Sequence, residues 1–265
     1  MAATAPLGAD VLERLADHHD VAFLLTRPDR PRGRGRRVGA PPAKEAAERL
    51  GIPVRQPERL DAEFEVDVPT MVVAAYGALI PSVLLDRALW LNVHPSLLPR
   101  WRGAAPVERA IMAGDTETGL TIHRTTAELD AGPIAAQEAF PIAPDDDAGV
   151  VYARAGELAA ELLGRVLESP SFTVQPEEGA TYAEKITAAD RELDWSDEDV
   201  INVIRALSPH IGARTEVNDR PLTVWRARRA QAGSELVVDG VELLEVQPDG
   251  RRRMTGAEFL RGYGR

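Results

Sequence analysis

The sequence predicts an α/β fold, with an open, mostly parallel sheet followed by a small β-rich domain, and three observations carry that prediction. Apolar, β-type runs alternate with helical patterns over the first two-thirds of the chain. The composition breaks near Ser169. Beyond the break, two-residue polar turns separate short runs of strand-forming residues.

Three runs read as strands: Val21 to Thr26 (VAFLLT), Met71 to Tyr76 (MVVAAY) and Leu89 to His94 (LWLNVH). A run that is apolar almost without interruption fits a parallel strand covered on both faces. Helical segments lie between and after them. Pro41 to Leu50 opens on proline, carries the i,i+4 pairs Lys44/Glu48 and Glu45/Arg49, and stops at Gly51. Pro106 to Ala113 repeats the design, with Gly114 as the stop. Val150 to Glu168 sets Val151, Ala155, Leu158, Leu162 and Val166 on one face. Strand and helix in alternation build a parallel sheet with helices packed on it.

Ser169 to Gly179 has two prolines and little periodicity, as a linker does. After it, Ser196 with Asp199 reads as a capping arrangement. It opens a helix with Val200, Val203, Ile204 and Leu207 facing inward, ended by Pro209. Arg214 to Val217 and Leu222 to Arg226 flank Asn218-Asp219. Glu235 to Val238 and Val241 to Val246 flank Asp239-Gly240, a hairpin signal. The expected organisation is a first domain over residues 1–170, a linker over 171–192 and a β-rich domain over 193–265.

A chain of 265 residues can bury a core without staples. It has no cysteine, which excludes disulfides, Cys-ligated zinc and a thiol nucleophile. No metal site is expected. No apolar run approaches the ~18 residues of a membrane span, and Met1 to Asp10 lacks the form of a signal peptide. The expected location is the cytoplasm. A net charge of −11 argues against a general nucleic-acid binder. One segment opposes that average: Arg27, Arg30, Arg32, Arg34, Arg36 and Arg37 fall within eleven residues, opposed by Asp29, with Gly33 and Gly35 giving the loop freedom. Such a run is commonly a solvated basic loop; it is also a concentrated phosphate-binding feature.

The chemistry concentrates in Leu91 to Pro106, LNVHPSLLPRWRGAAP. On a strand, Asn92 and His94 share a face, ~7 Å apart. Pro95 then ends the strand. An amide and an imidazole thus stand at the carboxyl edge of an open α/β sheet, where such folds bind ligands. Imidazole exchanges protons near neutral pH, and an amide N–H can stabilise an oxyanion. Acyl transfer to an amine needs both. Asp130, in a loop with Gly132 after the strand-like run Leu120 to Thr125, is the candidate carboxylate to orient His94 and favour its cation. Each residue also has an ordinary reading: a hydrogen-bonded surface histidine, an asparagine satisfying a loop, a turn aspartate.

In those residues the chain resembles the methionyl-tRNA formyltransferase family. The stretch Asn92 to Pro106 is similar to that family's folate-site segment. Further matches follow in order: Thr26 to Pro31 with Gly33-Arg34-Gly35, Ala75-Tyr76-Gly77, Ala113-Gly114-Asp115 with Glu117-Thr118-Gly119, Leu129 to Gly132, Thr181 to Lys185 and Asp194-Trp195. The resemblance implies a Rossmann-like formyltransferase domain and a small C-terminal barrel. It implies that 10-formyltetrahydrofolate gives up its formyl group to the α-amine of initiator methionyl-tRNA, with Asn92, His94 and Asp130 as the catalytic trio. Ser96, Leu97, Leu98 and Pro99 would line the folate site, with Tyr76 and Gly77 close by. Arg30, Arg32, Arg34, Arg36 and Arg37 would meet the acceptor arm, Arg34 foremost. Arg226, Arg228, Arg229 and Arg251 to Arg253 would extend that surface. A monomer is expected.

Three departures from the family pattern are visible. The first apolar strand is expected to be missing, with Thr4-Ala5-Pro6 as the remnant of its turn. The stretch from Ala230 to Glu242 looks abbreviated. His123 stands where an apolar side chain is expected, which bears on stability and tRNA affinity. Two alternatives stay open at this point: a related folate-dependent formyltransferase acting on a small amine, and a non-catalytic tRNA- or folate-binding remnant.

Overall fold

The computed structural model describes residues 1–32 and 37–263. In chain order the first elements are β1 (Ala2–Ala3), α1 (Pro6–Ala16), β2 (Leu24–Leu25), β3 (Arg30–Arg32), β4 (Arg37–Gly39), α2 (Pro42–Leu50), β5 (Val54–Arg55) and β6 (Thr70–Ala74). Then come α3 (Ser82–Leu85), β7 (Leu89–His94), β8 (Arg102–Gly103), α4 (Pro106–Met112), β9 (Glu117–Arg124), β10 (Ile134–Pro141), α5 (Ala148–Glu168) and β11 (Tyr182–Ala183). The last are α6 (Val200–Leu207), β12 (Ala213–Val217), β13 (Arg220–Arg229), β14 (Val237–Val238), β15 (Val241–Pro248), β16 (Met254–Thr255) and α7 (Gly256–Tyr263). Two compact units result. One contains Met1–Ala104, Gly119–Phe140 and Tyr152–Tyr182; the other contains Ala105–Thr118, Pro141–Val151 and Ala183–Arg265.

The first unit is built on a seven-stranded sheet of order β10-β9-β7-β6-β1-β2-β5. The ladders from β7 to β5 are parallel, and β9 runs antiparallel to β7. The mostly parallel α/β fold read from the sequence is therefore present. One face is covered by α1, α2 and α5, whose buried Leu12, Leu15, Ala46, Ala159 and Leu162 pack on Leu24, Val72, Leu91 and Val93. The other face buries Phe23, Met71, Leu84 and Trp90.

The expectation of a missing first strand is corrected by β1. Ala2 pairs with Leu25 on one side and Val73 on the other, and Ala3 pairs with Ala74. Both alanines are fully buried. The strand escapes a hydropathy reading because it is two residues long and made of the smallest apolar side chain. Two residues suffice because β2 is equally short, and the Met1 carbonyl accepts a further bond from the Leu25 N–H at 2.7 Å. The Met1 amine donates to the Phe23 carbonyl at 2.8 Å. Burial, assisted by the nearby Arg55 charge, lowers its pKa to about 5. Below β1 lies a cavity of about 260 Å³ lined by Met1, Leu15, Phe23, Thr70, Val72 and Leu167.

The second unit carries a five-stranded antiparallel sheet, β12-β13-β15-β14, with β16 also on β15. Asn218 and Asp219 both adopt left-handed φ, 52° and 55°, as do Asp239 and Gly240 at 44° and 77°. Both two-residue turns read from the sequence are thus I′-like hairpins. Register shifts around Arg226 mark bulges in β13, which increase twist and curl the sheet. Val200, Ile204 and Leu207 of α6 and Phe259 of α7 fill its inner face with Leu222, Val224 and Val246. The expected Ser196/Asp199 cap does not form. Asp199 is the N-cap residue but makes no capping bond. The Ser196 hydroxyl instead donates to Asp194 Oδ1 at 2.6 Å, a tighter local turn two residues away. Among the described residues no helix is long and apolar enough to cross a membrane.

Candidate active site

Strand β7 spans the residues the sequence assigns to it, and its carboxyl end carries Asn92 and His94. Pro95 ends the ladder, and the chain folds back so that the His94 ring meets the loop it precedes. His94 Nε2 donates to the Trp101 carbonyl at 2.8 Å, which fixes the proton on that nitrogen because a carbonyl only accepts. Trp101 has a left-handed φ of 63°. Its strained backbone is held by the Thr181 hydroxyl, 2.9 Å from its N–H, and the Thr181 carbonyl accepts the next N–H, from Arg102. Inside the loop, the Ser96 hydroxyl donates to the Arg100 carbonyl at 2.7 Å.

Asp130 reaches the same place from the loop after β9. Its carboxylate lies between two imidazoles. Oδ2 is 3.7 Å from His94 Nδ1 and accepts the Gly103 N–H at 2.9 Å. Oδ1 accepts an N–H from the Asn92 amide at 3.1 Å and lies 3.5 Å from His123 Nε2. The backbone at Asp130 is left-handed, φ 47°. Gly132 follows because a Cβ there would run into the Arg124 carbonyl.

The electrostatics follow from burial. His94 is 4% exposed. Burial holds its pKa below the ordinary histidine value, against the opposing pull of the Asp130 carboxylate and the Trp101 carbonyl; the neighbouring His123 pushes the same way as burial. At neutral pH His94 is therefore neutral, with Nδ1 bare. That accounts for the 3.7 Å gap: no proton lies between Nδ1 and the carboxylate to make a short bond. For Asp130, burial pushes the pKa up. The hydrogen bond and charge that His123 offers once it is protonated, the charge His94 carries likewise, and the Gly103 N–H outweigh burial and hold it below the ordinary value. The site thus pairs an ionised carboxylate with a neutral imidazole able to take up a proton.

The structure brings Asn92, His94 and Asp130 together. Ser96 and Leu98 are buried in the loop following β7, with Leu97 and Pro99 partly exposed. The Leu98 N–H reaches the Thr121 hydroxyl at 3.2 Å. Leu97 packs where a Cβ on Gly119 would collide with it. The Tyr76 side chain is buried with Met71 and Trp90, while Gly77 is exposed and its carbonyl accepts from Arg27 at 2.9 Å. Arg30 is exposed at the start of the β3–β4 hairpin, whose backbone pairs Arg32 with Arg37. Arg34 and Arg36 lie outside the described residues. In the second unit Arg228 pairs with Glu242, Arg252 pairs with Glu258, and Arg253 lies over the Trp225 ring. Arg226 and Arg251 are exposed.

Two residues of the site were not legible as such. His123, fully buried, lies directly across the β7–β9 ladder from Asn92, its Nε2 3.1 Å from the amide nitrogen. The sequence marked it as an oddity, and the register makes it part of the site. Gln175 comes from the proline-bearing segment after α5. It is 5% exposed. Its amide nitrogen donates to the carbonyls of Asp130 and Gly132 at 3.0 and 3.1 Å, and its oxygen accepts from Arg102 Nε at 2.8 Å. The Arg102 fork then holds both Glu177 oxygens at 3.1 Å. Only a polar residue inside a linker-like stretch hinted at this brace.

Comparison with known proteins decides the family. Residues 3–167 match the formyl transferase family model, and residues 185–240 match that of the formyl transferase C-terminal domain. The chain is 40% identical to the methionyl-tRNA formyltransferase of Aromatoleum aromaticum over 99% of its length and 93% of that protein's. The chain belongs to the methionyl-tRNA formyltransferase family. The Roseobacter denitrificans member is likewise 40% identical, over 98% of this chain and 93% of its own. Among solved structures, the fold is shared with an N-formyltransferase from Helicobacter canadensis, in complex with folinic acid and dTDP-3-aminofucose (TM-score 0.66, 16% identity, 96% of this chain and 98% of that one). It is shared also with HypX from Aquifex aeolicus in complex with tetrahydrofolic acid (TM-score 0.61, 19% identity, 82% and 43%).

Proposed function

We propose that the chain transfers the formyl group of 10-formyltetrahydrofolate to the α-amine of initiator methionyl-tRNA, acting in the cytoplasm as a monomer. The observation that carries this reading is the convergence of the Asn92 amide, the His94 imidazole and the Asp130 carboxylate at the end of β7. Identity of 40% to family members over nearly full length supports the tRNA substrate.

The amine attacks the formyl carbon, forming a C–N bond and driving the carbonyl electrons onto oxygen. Asn92 donates an N–H to that oxyanion. The amine's proton passes to neutral His94, whose Nδ1 then makes a charge-assisted bond to Asp130. Collapse breaks the bond to the folate nitrogen, which leaves with the proton. Ser96 to Pro99 line the folate, with Tyr76 and Gly77 nearby, and Arg30, Arg32, Arg34, Arg36 and Arg37 engage acceptor-arm phosphates. The reading as a non-catalytic remnant rested on an absent first strand, and β1 removes that ground.

The test is formylation of methionyl-tRNA by this chain, with His94→Ala as control. Product from wild type and none from the variant is expected. Activity confined to small amines, unaltered by Arg34→Ala, would overturn the tRNA reading. Light scattering during chromatography checks the monomer.

A further inference from the structure

His123 faces Asn92 with one nitrogen and its own strand with the other. Nδ1 lies 3.1 Å from the Arg124 carbonyl, an acceptor, so Nδ1 carries the ring proton and Nε2 presents a lone pair. Nε2 is 3.1 Å from Asn92 Nδ2. The Asn92 amide group therefore donates both its hydrogens inside the protein, one to His123 and one to Asp130 Oδ1. The reverse amide orientation would set the Asn92 oxygen against a carboxylate oxygen and an imidazole lone pair, so the assignment is fixed by repulsion.

An amide with both hydrogens committed has none for an oxyanion until it gives one up. The two acceptors are unequal. Asp130 is charged, and bonds to charged acceptors are roughly twice as strong as neutral ones. The His123 bond is neutral. A developing oxyanion, itself charged, displaces the imidazole nitrogen in preference to the carboxylate.

We propose that His123 is a positioning residue for the transfer: it holds one Asn92 N–H in place in the resting site and yields it to the oxygen that turns negative. Asp130 keeps the other hydrogen, so the carboxamide pivots on that bond rather than swinging free as the exchange occurs. A neutral hydrogen bond is traded for a charge-assisted one only as charge develops, and an interaction strengthened only in the transition state raises kcat rather than substrate affinity. This rests on the formyl-transfer reading above.

Two near-isosteres separate the halves of the ring. His123→Asn keeps a donor near the Nδ1 position, for the Arg124 carbonyl, and removes the acceptor facing Asn92. His123→Gln carries an acceptor out to the Nε2 position. His123→Asn is expected to lower kcat at least ~10-fold with the KM for folate within about 2-fold, and His123→Gln to stay within ~3-fold of wild type. The chain has three asparagines, Asn92, Asn202 and Asn218, and the fourth that His123→Asn adds is recognised by its absence from wild type and His123→Gln. Selective ¹⁵N labelling of the full chain therefore reads the Asn92 amide directly, and one of its two proton resonances should move upfield in His123→Asn and return in His123→Gln. Wild-type kcat in His123→Asn, an equal fall in both variants, or an unmoved Asn92 resonance would each overturn the proposal. Should wild type fail to formylate methionyl-tRNA, the functional reading fails; the resonances still test the hydrogen bond by themselves.

Discussion

On one side of β6 the central sheet consists of β1, β2 and β5, each two residues long. On the other side β7, β9 and β10 run for six, eight and eight residues. The short side holds the Met1 amine and a cavity of about 260 Å³. The long side holds every member of the acid–base cluster, each side chain tied to at least one backbone or side-chain partner. Catalysis needs reacting groups fixed to a fraction of an ångström, whereas a sheet edge only needs to stay folded. The contrast teaches that order is concentrated where the chemistry is, and that the two sides should respond differently to mutation.

The strongest way to break the comparison is in the long side. Asn92→Ala and Asp130→Ala should each cut kcat/KM by roughly 10²–10⁴, in line with oxyanion and acid–base contributions. A loss under tenfold in both would mean that the cluster is not the reacting centre. Gln175→Met comes next. It removes the bonds that brace Asp130 and leaves the buried Arg102 Nε without its acceptor, so about a tenfold fall in kcat and a lower Tm are expected together. Steady-state kinetics and calorimetry read the two effects separately.

On the short side, Gly8→Ala should move stability alone. A Cβ there meets Ala3 and the Ala74 carbonyl of the central strands. The helix-propensity gain of about 1 kcal/mol is smaller than the ~1–3 kcal/mol cost of overpacking. The expected result is a Tm lower by a few degrees with unchanged kcat per folded molecule. The smallest effect sharpens the electrostatics. Because burial depresses the His94 pKa while Asp130 raises it, the acid limb of kcat/KM should lie below pH 6.5. In Asp130→Asn the opposing charge is gone, so the residual activity should show that limb at still lower pH; a shift to higher pH would contradict it.

Much of this was legible in the sequence where a pattern is local. β7 was read to its residue bounds, because an apolar run ended by proline is self-contained. Both polar hairpin turns were read from dipeptides that tolerate positive φ. Elements at the start of the chain escaped: β1 offers two alanines, and no helix is assigned from the sequence over α1 although it buries Leu7, Val11, Leu12 and Leu15. Asn92 and His94 were read from strand alternation, and Asp130 from its loop. His123 and Gln175 belong to the site only through a cross-strand register and a return of the chain from 45 residues away. Neither is encoded within a window of neighbours.

The Gln175 brace alters where the molecule can be divided. A cut at residue 170, the boundary composition favours, would strip Gln175, Glu177 and Thr181 from the loops that carry His94 and Asp130. A chimera made there would inherit the reacting side chains without the struts that hold them. Any graft or excision of the first unit must therefore carry its chain through Tyr182.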